Sequence, residues 1–272
     1  MYRMEKYIFP LIGNAHIARM EAPDILAVVK PLEQKGQNET ARRILQIISQ
    51  VYRYAVITGR AKRNPATDLH GALKPRKTVH RAAITEPARV GQLLRDCDNY
   101  EGYFPITCAL RLAPLVFVRP TELRAAEWSE FNFETSEWRI PAARMKMKQV
   151  HIVPLAKQAV KILEELREFS GNGKYLFPSI RTDTRPLSDA TVLNALRRMG
   201  YGKDEMCTHG FRSIASTLLN ELGYNRDWIE RQLAHGERND VRAAYNYAEY
   251  LPERRRMMAE WAEYLDGLRR KV

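Results

Sequence analysis

The sequence predicts a mostly α-helical protein with a small antiparallel β-sheet inside the second of two domains. Three observations predict it. Apolar residues recur at helical spacing through most of the chain, as in Ile44, Ile47, Ile48, Val51 and Ala55. Two short alternating segments, "EWRIP" (137–141) and "VHIVP" (150–154), break that pattern and read as paired strands. A polar, basic stretch with Pro and Gly, "KRNPATDLHGALKPRKTVHR" (62–81), reads as an interdomain linker.

The elements follow in order. The first domain, 1–80, is helical. One helix has Asp24 as its cap and Gly36 as its stop. The next begins at Asn38 and carries Arg42, Arg43, Arg53 and Arg60. The second domain, 81–272, opens on a helix with Thr85 as N-cap and Glu86 and Pro87 in its first turn. Residues 103–118 form a buried helix that breaks where Arg119 precedes Pro120. The sheet comes next, with tight turns. Helices are then expected over 156–169, 188–199, 208–222, 226–234, 238–249 and 252–267. Ser188 and Thr208 are read as caps, Gly200 and Gly223 as stops.

The formal net charge is +12, unevenly spread. Residues 1–84 hold 15 Lys and Arg against 6 Asp and Glu; the remainder holds 29 against 26. Such a balance favours a polyanionic partner, and a basic linker can touch a phosphate backbone as it crosses. No apolar run approaches the roughly 20 residues of a membrane span. The first residues, "MYRMEKYIFPLIG", lack the apolar core of a signal peptide. Cys97, Cys108 and Cys207 are far apart and odd in number, which suggests neither a disulfide framework nor a zinc site. A reducing cytoplasm is the expected compartment. Without a glycine-rich phosphate loop, an HExxH motif or a histidine cluster, no metal or cofactor is expected.

Several basic residues fall at element ends. Arg119 emerges from an apolar stretch and needs an anion or a carboxylate; Glu122 could be that partner in a purely structural pair. His209 and Arg212, three apart, share a face in the first turn of a helix, where N–H groups and the dipole attract phosphate. A surface arginine beside a capping histidine is the plainer alternative. Lys146 and Lys148 lie in or beside the hairpin, where a lysine is ordinarily a solvated charge. Behind His235 stand Tyr245, Tyr247 and Tyr250. Val241, Ala244, Tyr245 and Ala248 form an inward helical stripe, so spacing alone leaves Tyr245 as either a core residue or a nucleophile.

Taken in order, "VRPTEL", the hairpin "MK", "HGFR", "LAH" and a following tyrosine resemble the tyrosine recombinases, also called phage integrases. The phrases "FPLIG", "TARRILQII", "YAVITGRAKRNPA", "RMKMKQVHIVPL" and "AYNYAEYLPERRRMMAEWAEYLD" are similar to the integrases of prophages and genomic islands. The resemblance implies a helical core-binding domain followed by a catalytic domain of the DNA breaking-rejoining type. It implies that Arg119 and Arg212 clamp the scissile phosphate and that Lys146 protonates the leaving 5′ oxygen. Lys148, taken to point the other way, is second choice. His209 would manage the nucleophile's proton, His235 would donate to the phosphate, Tyr245 would attack and Glu122 would support. Arg42, Arg43, Arg53, Lys62, Arg63, Lys74, Arg76 and Lys77 become the expected DNA contacts. The expected partner is an attachment site in double-stranded DNA, bound by a tetramer, the free protein being a monomer. The expected setting is a bacterial cytoplasm, on the nucleoid when bound. The resemblance implies a chain lacking the arm-site-binding domain usual in this subgroup, with the first domain, 1–80, expected to be incomplete at its N-terminus. A nicking-closing topoisomerase and a non-enzymatic DNA-binding remnant are the competing expectations.

Overall fold

The computed structural model describes residues 1–75, 82–235 and 250–271 and divides into two units, Met1–Val79 and His80–Val272. In the first unit a π-helical turn, Met4–Ile8, runs into α1 (Phe9–Ile12). A helical hairpin, α2 (Ala22–Gln34) and α3 (Asn38–Ile57), supplies most of the core. Glu21, not Asp24, caps α2. Asp24 sits at the third helical position, where its carboxylate accepts from the Glu21 N–H (2.9 Å). Gly36 ends the helix as expected: its φ of +72° lets Gln37 N–H reach back to the Leu32 carbonyl (2.9 Å).

The buried face of α3 is Ala41, Ile44, Ile48, Tyr52 and Ala55. Tyr52, whose hydroxyl donates to Ile17 O (3.1 Å), takes the place expected for Val51, which is exposed. The stretch read as linker is folded as far as Lys74. Asn64 accepts from Ala66 N–H (3.1 Å) and donates to Ser49 Oγ (3.0 Å), starting a 3₁₀ turn over Pro65–Leu69. Ala66, Leu69 and Leu73 enter the core, and Lys74 N–H donates to the buried Glu33 carboxylate (2.6 Å). Apolar residues three and four apart outweigh the polar composition around them.

In the second unit α4 (Pro87–Asp98) starts one residue later than expected, with Glu86 at its N-cap. At the centre lies α5 (Phe104–Val116), buried along nearly its whole length. It ends at Phe117, a fully buried aromatic residue in the left-handed region (φ +35°). Arg119 then caps the short α6 (Pro120–Arg124). The sheet is β1 (Phe131–Asn132), β2 (Glu137–Ile140) and β3 (His151–Pro154), antiparallel in that order, with Trp138 opposite Val153 and Ile140 opposite His151. Residues 141–150 join β2 to β3, too many for a tight turn.

Next come α7 (Lys157–Ser170) and a second, unforeseen two-stranded sheet, β4 (Pro178–Ser179) with β5 (Thr182–Pro186). Then α8 (Thr191–Arg198), α9 (Gly210–Glu221), α10 (Arg226–Gln232) and α11 (Leu251–Arg270) follow. Gly200 (φ +94°) and Gly223 (φ +81°) end α8 and α9 as expected. The expected caps are displaced: Ala190 and His209 hold the N-cap positions, not Ser188 and Thr208. The helix expected over 238–249 falls outside the described residues.

Helix α11 closes this core with Met257, Met258, Trp261 and Leu265; Trp261 donates to Pro114 O (2.9 Å) and packs edge-on against Phe117. All three cysteines are free, and burial pushes the Cys108 thiol up to about 12. Among the described residues no helix is long and apolar enough to cross a membrane.

Candidate active site

A short helix leaves its last carbonyls without partners inside the helix. At the end of α10 three consecutive carbonyls are taken by side chains from elsewhere. His151 Nε2 donates to Gln232 O (3.1 Å), Arg212 Nη2 to Leu233 O (2.6 Å) and Arg119 Nη2 to Ala234 O (2.8 Å). A carbonyl can only accept, so the His151 ring must be the donor. Cationic groups at a helix C-terminus also match its dipole.

Each arginine is pinned a second time. Glu122, buried, accepts from Arg119 Nη1 (2.7 Å) and from Arg119 N–H (2.8 Å), so one carboxylate orients the guanidinium and caps α6. Arg144 donates to the Glu122 carbonyl (2.7 Å). Arg212 Nη1 donates to Phe117 O (2.8 Å), and its Nε is buried with no hydrogen-bond partner among the described residues. Two of the accepting carbonyls belong to non-glycine residues in the left-handed region, Phe117 (φ +35°) and Ala234 (φ +47°). Such backbone costs on the order of 1–3 kcal/mol per residue, and persists where surrounding contacts hold it. Burial, and then the neighbouring Arg119 charge, push the Arg212 guanidinium down to about 10, with Glu122 and Glu230 opposing. Two cations held this close form a site for an anion.

His235 completes the turn. Its Nδ1 lies 2.8 Å from Glu230 Oε2 and its Nε2 3.1 Å from Arg212 Nη2. Arginine only donates and a carboxylate only accepts, so Nδ1 carries the proton and Nε2 is an acceptor here. The structure therefore brings together Arg119, Glu122, Arg212 and His235. His209, half-buried at the N-cap of α9, reaches them through the backbone: its carbonyl accepts from Arg212 N–H (3.1 Å).

Lys146 and Lys148 are exposed in the 141–150 connection. No strand carries them, so pointing along a strand does not rank them; residues two apart on a strand would share a face in any case. Lys148 has φ +53°. No hydrogen bond or ion pair joins Lys146 to the cluster among the described residues. Tyr245 and Tyr247 fall outside the described residues; Tyr250 is the left-handed N-cap of α11 (φ +48°). Three residues of this neighbourhood were not foreseen. His151 shares the buried face of β3 with Val153, a strand alternation that was visible. Arg254 precedes Met257, Met258 and Trp261 at helical spacing, which places it on the buried stripe. Gln232 carried no signal of its own. Among the described residues no group of three or more His, Cys, Asp or Glu could hold a metal ion.

In the first unit, Arg43, Arg53, Lys62, Arg63 and Lys74 are exposed and Arg42 is half-buried. Arg63 is paired with Glu21 and Asp68, and Arg42 donates to the Lys74 carbonyl. A groove between α3 and residues 66–75 is lined by Arg42, Gln46, Gln50, Arg53 and His70. Arg76 and Lys77 lie outside the described residues.

Known proteins resemble this chain in sequence and fold. The phage integrase central domain matches residues 1–72 and the phage integrase family residues 84–251. The chain is 43% identical to the integrase of Enterobacteria phage P4, over 98% of this chain and 64% of that protein, and so spans just under two thirds of that relative's length. Its fold matches that of lambda integrase in a dimer bound to a COC′ core site (TM-score 0.69, 20% identity, 88% of each chain). It also matches lambda integrase in a tetramer bound to a Holliday junction (TM-score 0.67, 20% identity, 87% of this chain and 70% of that one). The chain belongs to the phage integrase family.

Proposed function

We propose that the chain carries out site-specific DNA recombination, cleaving and rejoining strands through a 3′-phosphotyrosine to integrate or excise a prophage or genomic island. The observation that carries this reading is the docking of Arg119 and Arg212 on adjacent carbonyls of one turn, with His235 beside them. In the proposal both guanidiniums bind the non-bridging oxygens of one phosphodiester and stabilise the charge that attack adds. Tyrosine is a weak nucleophile at a pKa of about 10 and needs that help. The Tyr245 hydroxyl attacks phosphorus and gives its proton to His209. The P–O5′ bond breaks, and Lys146 supplies the proton that leaves on the 5′ oxygen. A second strand's 5′-hydroxyl reverses the step, so the bond energy is conserved without a cofactor. For His235 to donate to the phosphate its Nε2 must also carry a proton, and Arg212 Nη2 must turn from that nitrogen to the phosphate.

In this reading the basic first unit makes phosphate contacts that set register on the duplex. A tetramer on DNA is proposed by likeness to lambda integrase. The test offers overlapping nicked duplexes tiled across the DNA flanking the gene and looks for a covalent protein–DNA adduct. The expected result is an adduct at one site, lost in Tyr245→Phe and kept in Tyr247→Phe. Tight binding without adduct on any duplex leaves a DNA-binding remnant. Relaxation of an arbitrary plasmid at equal efficiency indicates a topoisomerase.

A further inference from the structure

Gln232, the last residue of α10, is fully buried and is held through both of its oxygens. Its backbone carbonyl accepts from His151 (3.1 Å). Its side-chain Oε1 accepts from Arg254 Nε (3.1 Å) and Nη2 (2.7 Å), and Nη2 also donates to Ile152 O. One buried point thus ties α10, β3 and the first turn of α11 together. Arg254 is 0% exposed. Removing a guanidinium from water is costly unless its donors are met, and an apolar residue would suit the stripe of Met257, Met258 and Trp261 better. The proposed reaction assigns no step to Arg254, Gln232 or His151. Yet Gln232 directly precedes Leu233 and Ala234, whose carbonyls hold Arg212 and Arg119.

We propose that Arg254, Gln232 and His151 are positioning residues that fix the terminal turn of α10, and through its carbonyls set where the two arginines present their charge. The inference rests on the recombinase reading. A seven-residue helix ending in a strained Ala234 cannot hold its own C-terminus in one place. Because Arg119 and Arg212 each give one hydrogen bond to that terminus, a shift of it disturbs both guanidiniums at once, against the second contacts that Glu122 and Phe117 provide. Of the three positioning residues, His151 adds no charge beside them. Burial and the nearby arginines push the His151 imidazole down to about 3, so it donates one N–H as a neutral ring.

The test uses the nicked duplex that gives the adduct, carrying either a phosphate or an uncharged methylphosphonate at the scissile position. The ratio of the two cleavage rates reports how well the arginines engage charge on the non-bridging oxygens. Gln232→Met and Arg254→Met are expected to lower that ratio by about tenfold or more, since a displacement near 1 Å costs up to about 100-fold in rate. Affinity for the duplex should change by less than about threefold, which separates positioning from uniform binding. Arg254→Lys, which keeps a donor to Gln232, should recover part of the ratio. A merely structural role lowers both rates with the folded fraction and leaves the ratio at its wild-type value; that result overturns the inference. Gln232→Met nearly conserves volume and carries the test if Arg254→Met does not fold. Absence of any wild-type adduct overturns the recombinase reading and this inference with it, whereas an unchanged ratio overturns this inference alone.

Discussion

His151 makes the second unit sensitive to acid in a way that can be sized. Its ring is 5% exposed, and burial together with the Arg254 charge pushes it from 6.5 to about 3. Above pH 6.5 the ring is neutral in both folded and unfolded chains. Between pH 6.5 and about 3 the unfolded chain binds a proton that the folded one refuses, so stability falls as pH falls. The slope is about 1.4 kcal/mol per pH unit, or about 2 kcal/mol between pH 6.5 and 5. The perturbation is His151→Gln, which keeps an N–H donor near the Nε2 position and does not titrate. Urea unfolding at pH 7 and pH 5 gives the loss for each protein; taking the difference between proteins removes the titration of all other groups. All four tryptophans lie in the second unit, so their fluorescence follows that unit alone. The wild type should lose about 2 kcal/mol more than the variant. Parallel losses would falsify the argument, because they would mean that the buried ring is not held neutral.

Glu122→Gln should cost about 2 kcal/mol in the same urea assay, since one carboxylate oxygen that accepts from Arg119 becomes an NH₂ facing a donor. Adduct formation should fall with it, and an unaltered cleavage rate would detach Glu122 from the site. Ala234→Gly should stabilise the second unit by about 0.5 kcal/mol, the left-handed penalty less the extra flexibility of glycine; a loss of stability would show that the Ala234 methyl packs usefully. In the first unit Arg53→Ala with Lys62→Ala should weaken DNA binding and lower the slope of log affinity against log salt by about 2. Arg63→Ala, whose charge is already paired with Glu21 and Asp68, should change that slope less; equal effects would mean that those pairs open on DNA.

What was legible in the sequence depended on how local its cause was. Gly36, Gly200 and Gly223 end helices because a single positive φ suffices, and one residue type announces it. The caps slipped because Glu86, Ala190 and His209 hold N-cap positions without a side-chain cap hydrogen bond, so tertiary packing rather than a capping oxygen sets where those helices start. Leu69 and Leu73 were hidden in a polar stretch because their partners are α2 and α3, not their neighbours in sequence. In the site, Arg119 and Glu122 could be paired on paper because they are three residues apart on one helix end. The docking of Arg212 on Phe117 and Leu233 could not, since it depends on two backbone bends in distant segments. The family likeness pointed to side chains that would do chemistry; it was silent on Gln232 and Arg254, whose work is to hold a carbonyl in place.

The choice of acceptors explains how the site can keep its charge for a substrate. Pinning a guanidinium with carboxylates orients it but cancels much of its field. Arg212 is oriented instead by two neutral carbonyls and an imidazole nitrogen, and Arg119 by one carboxylate and one carbonyl. Among the described residues, two full cations are thus fixed with a single buried carboxylate in direct contact. The dipoles at the end of α10 recover part of the desolvation cost without neutralising either arginine. The cost that remains is visible: two left-handed residues, a buried Arg254 and an Arg212 whose own proton is loosened by burial and then by the Arg119 charge. A phosphodiester bridging Arg119 and Arg212 would relieve the repulsion between them. Substitutions that add a carboxylate here should therefore stabilise the protein while weakening its grip on DNA. Leu233→Glu is unsuitable because that side chain is buried in the core. Ser213→Asp, at a half-buried position one residue after Arg212 in α9, is the cleaner choice; it lies off the Arg212 face and so acts through its charge, not by a direct hydrogen bond. Higher urea stability with slower adduct formation would support the account; faster cleavage would refute it.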